Sequence, residues 1–280
     1  MHYQLIALDL DGTLLNSRKE ISPETLSAVR LACRMGKTVV FDTGRAVTEL
    51  ADETALLPEV RYAVFASGAG IFDIRTGKTF GLRGFSRPLA DRILAFARGL
   101  DLMPQLVLPD RDVIQASHME NLDHYHMGRY RALYEKAMTL VPDIFSFAKT
   151  CRDTVLKINL YHTNPAERVQ TREQLSCPEL ETVFSEISSL ECSPAGVNKG
   201  AGLLTLCGEL RIPPEECIAV GDAENDIPML RATGLGVAMG NAPDHVKAAA
   251  DLVVRDLDHG GCAQAVQLLM GRNVTGRDPD

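Results

Sequence analysis

Two aspartates, Asp9 and Asp11, stand in the run Asp9-Leu10-Asp11-Gly12-Thr13, directly after the apolar stretch 4–8. A carboxylate in that place can attack phosphorus, splitting hydrolysis into transfer to the protein and breakdown of the resulting acyl phosphate, so Asp9 is the candidate nucleophile. Asp11 can project from the same side, protonate a leaving oxygen and later take a proton from water. Two nearby carboxylates facing a phosphate repel each other, so the chemistry calls for a divalent cation, and Asp222 supplies a third acid. Magnesium suits this oxygen-rich set because it accepts a few carboxylates together with waters and a substrate phosphate. Taken alone, the Asp-Leu-Asp-Gly run also fits a surface turn or a fragment of a calcium loop. An EF-hand needs further ligands, a closing Glu and flanking helices, and that pattern is absent.

Strands must deliver these groups. The stretch 4–8 reads as a buried parallel strand with polar residues at its carboxyl end. Ser22 and Pro23 cap and open a helix carrying Leu26, Val29 and Cys33 at helical spacing, and Gly36 ends it. A second buried strand, 38–41, runs into Thr43-Gly44-Arg45 and a helix from Ala51 to Leu57; a third strand covers 62–66. This β-α-β-α-β order predicts right-handed crossovers and a parallel sheet with ligands outside the carboxyl ends of its strands, so Asp9 and Thr43 share one rim.

After a hairpin around Gly77 the alternation changes. Residues 83–190 read as a separate mixed unit, with helices near 89–99, 130–140 and 165–175 and strands near 105–108, 113–116, 155–161, 182–184 and 188–192. The α/β pattern resumes with a helix from Lys199, a strand over 217–220, a helix from Asp226, a strand over 234–239, and helices after Pro243 and Gly261. The expected fold is therefore a doubly wound, parallel-sheet, Rossmann-like α/β core built from 1–82 and 191–280, with a smaller α/β cap inserted at 83–190.

With these segments in order, the chain resembles the Cof-type phosphatases of the haloacid dehalogenase-like superfamily. Asp9-Leu10-Asp11-Gly12-Thr13 matches that family's DxDGT, Thr43-Gly44-Arg45 its second motif, Lys199 its third, and Gly221-Asp222-Ala223-Glu224-Asn225-Asp226 its GDxxND fourth. Gly240-Asn241-Ala242 matches a downstream loop of the same branch, and the insertion falls between the second and third motifs as it does there. The resemblance implies Mg2+ held by the Asp9 and Asp222 side chains and the Asp11 carbonyl, with Asp9, Asp11 and Lys199 catalytic. Leu10, Thr43, Gly44, Arg45 and Asn225 form the expected substrate-binding set. Thr43 and the Gly44 amide can donate to the transferring phosphoryl group while Lys199 neutralises its charge, and Asp226 orients Lys199. Gly12 lets the chain turn beside the phosphate. The implied reaction is hydrolysis of a small phosphorylated metabolite, in similar proteins often a sugar phosphate, nucleotide or cofactor phosphate. A phosphomutase or phosphotransferase would use the same motifs, and a non-catalytic phosphometabolite-binding module would not need the nucleophile.

Other features carry less. Ser67-Gly68-Ala69-Gly70 lacks the third glycine of a dinucleotide fingerprint, and Ser67 stands where the family often has Asn. Asp42 departs from the family's usual small residue and either charges the rim or faces away. Arg45 either binds substrate or pairs with a surface acid. His118, His124 and His126 lack a second cluster at metal-ligand spacing and read as polar surface or substrate contacts. Met103, Met119 and Met127 read as packing.

The chain of 280 residues is 45% hydrophobic, enough for a full core, and its net charge of -8 excludes a general attraction to nucleic acid or an anionic membrane. Asp9 and Asp11 cut the first apolar run far short of a membrane span, and no basic segment precedes it. Seven scattered cysteines without a CxxC pair suit a reducing cytoplasm. Asn273-Val274-Thr275 fits the glycosylation pattern by chance on this reading, and the tail 272–280 is expected to be mobile. Oligomeric state is not legible.

Overall fold

The computed structural model describes residues 3–271; the Asn273-Val274-Thr275 tripeptide and the tail from 272 lie outside them. The chain forms two compact units. Residues 3–44, 52–78 and 198–271 make the first, and 45–51 with 79–197 the second.

In the first unit, strands β1 (Leu5–Leu8), β2 (Thr38–Asp42), β3 (Tyr62–Phe65) and β4 (Gly70–Asp73) precede β5 (Lys78–Phe80), which crosses the unit boundary. The second unit follows with β6 (Leu102–Val107), β7 (Asp112–Gln115), β8 (Met138–Val141), β9 (Lys157–His162), β10 (Leu180–Val183) and β11 (Ser189–Pro194). Strands β12 (Cys217–Gly221), β13 (Leu235–Ala238) and β14 (Leu252–Val253) return to the first sheet. Its order is β14-β13-β12-β1-β2-β3-β4-β5, so the two ends of the chain meet at the β12–β1 pair. Strands β14 through β3 are parallel, and β4 turns back antiparallel.

All four β1 residues are buried, as a strand flanked on both sides requires. Its register sets Leu8 beside both Phe41 and Val220, so β1, β2 and β12 end together and their following loops share one rim. The helix Pro23–Arg34 begins as its sequence suggests: the Ser22 hydroxyl accepts from the Thr25 amide at 3.2 Å, and Pro23 occupies the first turn. The helix Lys199–Leu210 is capped in the same way by Asn198, which accepts from the Ala201 amide at 3.0 Å.

The second unit holds a six-stranded sheet in the order β10-β11-β9-β6-β7-β8, antiparallel except for the β7–β8 pair. Its alternating side chains face two different layers. Leu106, Val113, Ile158, Leu160 and Leu190 join one apolar cluster with the helices Arg87–Ala97 and Ile144–Thr150. Met103, Ile114 and Tyr161 join another with Met119, Met127 and Tyr134, so the three methionines are packing residues. The expected helix over 130–140 is shorter: Arg131–Ala137 is helical and Met138 already begins β8. The polar run Arg131-Ala132-Leu133-Tyr134-Glu135-Lys136 hides that change, because only pairing with β7 reveals Met138–Val141 as a strand. The helix Ile144–Thr150, opened by an Asp143 cap that accepts from the Phe145 amide at 2.9 Å, was not anticipated at all.

One turn in the first unit sets the place of the Lys199 helix. After β3, Ala66, Ser67 and Gly68 all have positive φ, at 51°, 55° and 93°. A Cβ on Gly68 would lie 1.9 Å from the Asn198 carbonyl oxygen, so only glycine lets the helix entrance approach. Gly36, at φ 77°, faces open space. Gly68→Ala should therefore cost about 2–4 kcal/mol, from backbone strain and overpacking together. Gly36→Ala, which adds strain alone, should cost about 1 kcal/mol. Equal shifts in the two urea midpoints would show that the close approach is not what Gly68 provides.

Candidate active site

Asp9 leaves β1 with its amide bonded to the Val220 carbonyl at 3.0 Å and its carboxylate almost wholly buried. The loop then curls back: the Thr13 and Leu15 amides bond to the Leu10 carbonyl, and the Leu14 amide bonds to that of Asp9. Leu10 itself is fully buried, so any contact it makes with a ligand runs through its backbone.

Lys199 enters from the first turn of its helix. Its ammonium donates to Asp9 Oδ1 at 2.6 Å and to Asp226 Oδ1 at 2.5 Å, and the side chain is 1% exposed. Burial disfavours that charge, yet Asp226 and Asp9 outweigh it and hold the Lys199 pKa above the ordinary lysine value. Asp226 is engaged on its other oxygen as well, where Oδ2 accepts from the Asp222 and Ala223 amides at 2.8 and 2.9 Å. It is an anchor for Lys199 and for the loop that carries Asp222.

Asp9, Asp222 and Asp226 bring carboxylate oxygens within 4.8 Å of one another. Asp226 is spoken for, which leaves Asp9 and Asp222 to face a cation. Burial, then the neighbouring Asp226, raises Asp222 to a pKa of about 7. Three acids with one ammonium among them are short of positive charge, and a divalent ion would supply it, so the donor set fits magnesium. Asp222 is aimed by its neighbours: Oδ1 accepts from the Thr13 hydroxyl at 3.1 Å and Oδ2 from the Asn241 amide at 3.1 Å. Asn241 also donates to the Gly12 carbonyl at 3.0 Å, which ties the first and fourth motifs together. Gly12 has φ 90°, and a Cβ there would lie 2.3 Å from Asp222 Oδ2. Its reason in this structure is thus the approach of Asp222 as well as the turn.

Asp11 accepts from Lys19 at 2.6 Å on the partly open side of the loop, a partner the sequence did not single out. Thr43 follows β2, is buried, and holds the next turn by accepting from the Ser67 amide at 3.0 Å. Asn225 carries a buried side-chain oxygen with no hydrogen-bond partner among the described residues. Asp42 is fully buried, and burial disfavours its charged form and raises its pKa well above the ordinary aspartate value.

The sequence pattern of the haloacid dehalogenase-like hydrolases matches residues 6–266. The chain belongs to that family. Phosphatase YwpJ of Bacillus subtilis is 30% identical over 95% of this chain and 100% of its own length. The 5-amino-6-(5-phospho-D-ribitylamino)uracil phosphatase YcsE of the same organism is 29% identical over 94% of both chains. A haloacid dehalogenase-like hydrolase of B. subtilis superposes with a TM-score of 0.86 at 27% identity, covering 95% of this chain and 99% of that one. This haloacid dehalogenase-like protein is an enzyme, a phosphatase acting on phosphoric monoesters.

The second unit of this phosphatase holds residues that sequence reasoning passed over. Arg45–Ala51 belongs to it although Thr43 and Gly44 do not. There the Arg45 guanidinium donates to the Glu49 carbonyl at 3.3 Å, and Glu49 Oε2 accepts from the Ala46 amide at 2.9 Å. Asp112 lies beside Glu49. Burial raises the pKa of both carboxyl groups, and each is further affected by the other. Next to it, Gln105 Oε1 accepts from the Tyr161 hydroxyl at 2.7 Å and from Asn159 at 3.0 Å, while Lys157 pairs with Glu191 at 3.1 Å. The available signal was alternation: Gln105, Lys157 and Asn159 interrupt apolar strands at every second position.

The three histidines of the second unit do not converge. His124 Nε2 meets Asp101 at 2.8 Å, His126 Nε2 meets the Thr163 carbonyl at 2.8 Å, and half-buried His118 stands edge-on to Tyr125. None joins the acidic cluster that the described residues form. Among those residues no helix is long and apolar enough to cross a membrane.

The carboxyl pair makes a pH prediction. Asp112 titrates higher folded than unfolded, so its unfavourable linkage is nil below the ordinary aspartate value of 3.8. Stability falls as pH rises from there through the folded pKa. Asp112→Asn, whose amide can donate to Glu49, should remove that slope. Its stability relative to wild type should rise by up to about 1.4 kcal/mol per pH unit across that window. Parallel stability curves from pH 4 to 8 would show that Asp112 titrates normally.

Proposed function

We propose that the chain is a magnesium-dependent phosphomonoesterase that turns over a small phosphorylated metabolite through an aspartyl phosphate on Asp9. The observation that carries this reading is the convergence of Asp9, Asp222 and the Lys199–Asp226 pair at the ends of β1, β12 and the Lys199 helix. The relative YcsE is named for a ribityl phosphate substrate, which supports a small phosphorylated metabolite here too.

In this mechanism Asp9 attacks phosphorus, and Asp11 gives its proton to the leaving oxygen, then takes one from the water that cleaves the acyl phosphate. Asp11 is partly exposed, which leaves it within reach of both. Lys199 holds Asp9 in line and offsets charge on the phosphoryl oxygens. Thr43 and Gly44, with Asn225, bind the phosphoryl group, and Leu10 contributes its backbone. Asp9, Asp222 and the Asp11 carbonyl would hold magnesium, which would neutralise the carboxylates and the phosphate and so permit their approach. Residues 83–190 are assigned the choice of leaving group and the remaining chain the chemistry, with Arg45 on the specificity side.

Asp9→Asn keeps the shape and loses the nucleophile. Its phosphate release from a panel of phosphorylated metabolites should fall by about three powers of ten or more in protein that remains folded at the assay temperature. A well-folded mutant of near-normal rate would remove Asp9 from its role. In the same assay, exhaustive chelation should abolish wild-type turnover and added magnesium restore it, and Asp222→Ala should need a far higher magnesium concentration for half-maximal rate. Full activity after chelation would contradict the metal site. If the phosphoryl group is recovered on an added hydroxyl compound as a new ester, with no free phosphate released in its absence, the enzyme is a phosphotransferase.

A further inference from the structure

The helix that carries Lys199 and the strand that leads to Asp222 also carry a pair of facing thiols. Cys207 lies on the buried side of the helix Lys199–Leu210, and Cys217 opens β12. The turn between them is tight: Arg211 is left-handed at φ 55°, the Ile212 amide bonds to the Cys207 carbonyl at 3.0 Å, and Pro213 and Pro214 lead into a short 3-10 turn. The two sulfurs stand 3.5 Å apart and share a hydrogen bond. A disulfide is about 2.05 Å long, so small side-chain rotations and a shift of roughly 1.5 Å would join them. Catalysis by the acidic cluster uses neither thiol.

We propose that Cys207 and Cys217 are a redox-modification site, which a hydroperoxide converts to an intramolecular disulfide with loss of phosphatase activity. The effect on activity rests on the function proposed above; the bond itself does not.

The roles of the two sulfurs follow from their hydrogen bond. The shared hydrogen bond, in which either sulfur can donate, lowers the pKa of Cys207 against the effect of burial and, with burial, raises that of Cys217, which also has the Pro213 carbonyl to donate to at 3.4 Å. Cys207 is 2% exposed and Cys217 fully buried, so the first sulfur to meet a small oxidant is Cys207. Its thiolate attacks one peroxide oxygen; the O–O bond breaks, and the departing hydroxide takes up the thiol's proton to leave as water. The Cys217 sulfur then attacks the Cys207 sulfenic acid, the S–O bond breaks, and the hydroxide leaves as water with the Cys217 proton. In sum two thiols and one hydrogen peroxide give one disulfide and two waters, the sulfurs losing the two electrons that the peroxide gains. The new bond draws the helix against β12 while Lys199 must keep contacts of 2.6 and 2.5 Å to Asp9 and Asp226. Misplacement on that scale is expensive for a positioned group.

The test uses the full chain, reduced, then titrated with hydrogen peroxide, alkylated and digested with trypsin. The expected product joins peptides 200–211 and 212–231 with a loss of two hydrogens. Activity should fall at least about fivefold in step with it and return on treatment with a dithiol. Cys207→Ala and Cys217→Ala should keep their activity under peroxide. A triple variant, Cys33→Ser, Cys151→Ser and Cys177→Ser, which removes the partly exposed thiols, should respond as wild type does. The cross-link is read on the wild type, so it does not depend on whether a buried variant folds or on which phosphate ester is the substrate. Absence of the joined peptides at peroxide levels that oxidise Cys33, Cys151 and Cys177 overturns the site. A quantitative cross-link with unchanged turnover overturns its effect on activity.

Discussion

A buried ammonium organises the first unit. Lys199 is almost without solvent, and a lysine in that position is tolerable only while carboxylates face it on the right geometry. Removing one partner of such a pair generally costs about 3–5 kcal/mol, because the other charge is left buried and unmatched. Each partner of Lys199 is fixed by a different part of the fold. Asp9 is held by its own amide on Val220, and Asp226 by two amides of the loop that follows β12. The helix that presents Lys199 is held at its entrance by the Asn198 cap and by the turn at Gly68. Four segments distant in sequence thus depend on one cation.

The same arrangement leaves a deficit of positive charge that has chemical use. Lys199 offsets part of the charge on Asp9 and Asp226, and burial, then the neighbouring Asp226, raises Asp222 to about 7. Thr13 and Asn241 orient that carboxylate without neutralising it, and Gly12 allows it to come close. A site built in this way would suit a divalent cation and, through the cation, a phosphate. The local charge is what permits a chain of net charge -8 to take an anionic substrate.

The second unit solves a different problem. One face of its sheet is closed by helices with leucine, isoleucine and valine, as an ordinary core is. The other face mixes tyrosine and methionine packing with a buried polar network through Gln105, Asn159, Tyr161 and Tyr134. Such networks define one arrangement only when their members are satisfied. Beside that network Glu49 and Asp112 form a buried carboxyl pair in which burial disfavours both charges. Since Glu49 belongs to the stretch directly after Thr43 and Gly44, the pair also fixes where Arg45 sits within this unit.

The sequence by itself determined the parallel core and its candidate chemistry, because both are written locally. Buried strands are short apolar runs, and Asp9, Thr43 and Asp222 come directly after such runs, so chain order alone places them on one rim. Caps such as Ser22 are equally local, since the hydroxyl meets an amide three residues on. Tertiary structure alone decided what depends on partners far along the chain. Asp42 has the same local setting as Asp9, yet its buried carboxyl oxygens have no hydrogen-bond partner among the described residues while Asp9 meets Lys199 from 190 residues away. Arg45–Ala51 reads as the continuation of a core loop, and only its packing assigns it to the second unit. Met138–Val141 becomes a strand by pairing with β7, and the two thiols of Cys207 and Cys217 become neighbours through the turn between them. Local pattern specifies which backbone states a segment can take; burial and pairing, which are sums over distant contacts, select among them.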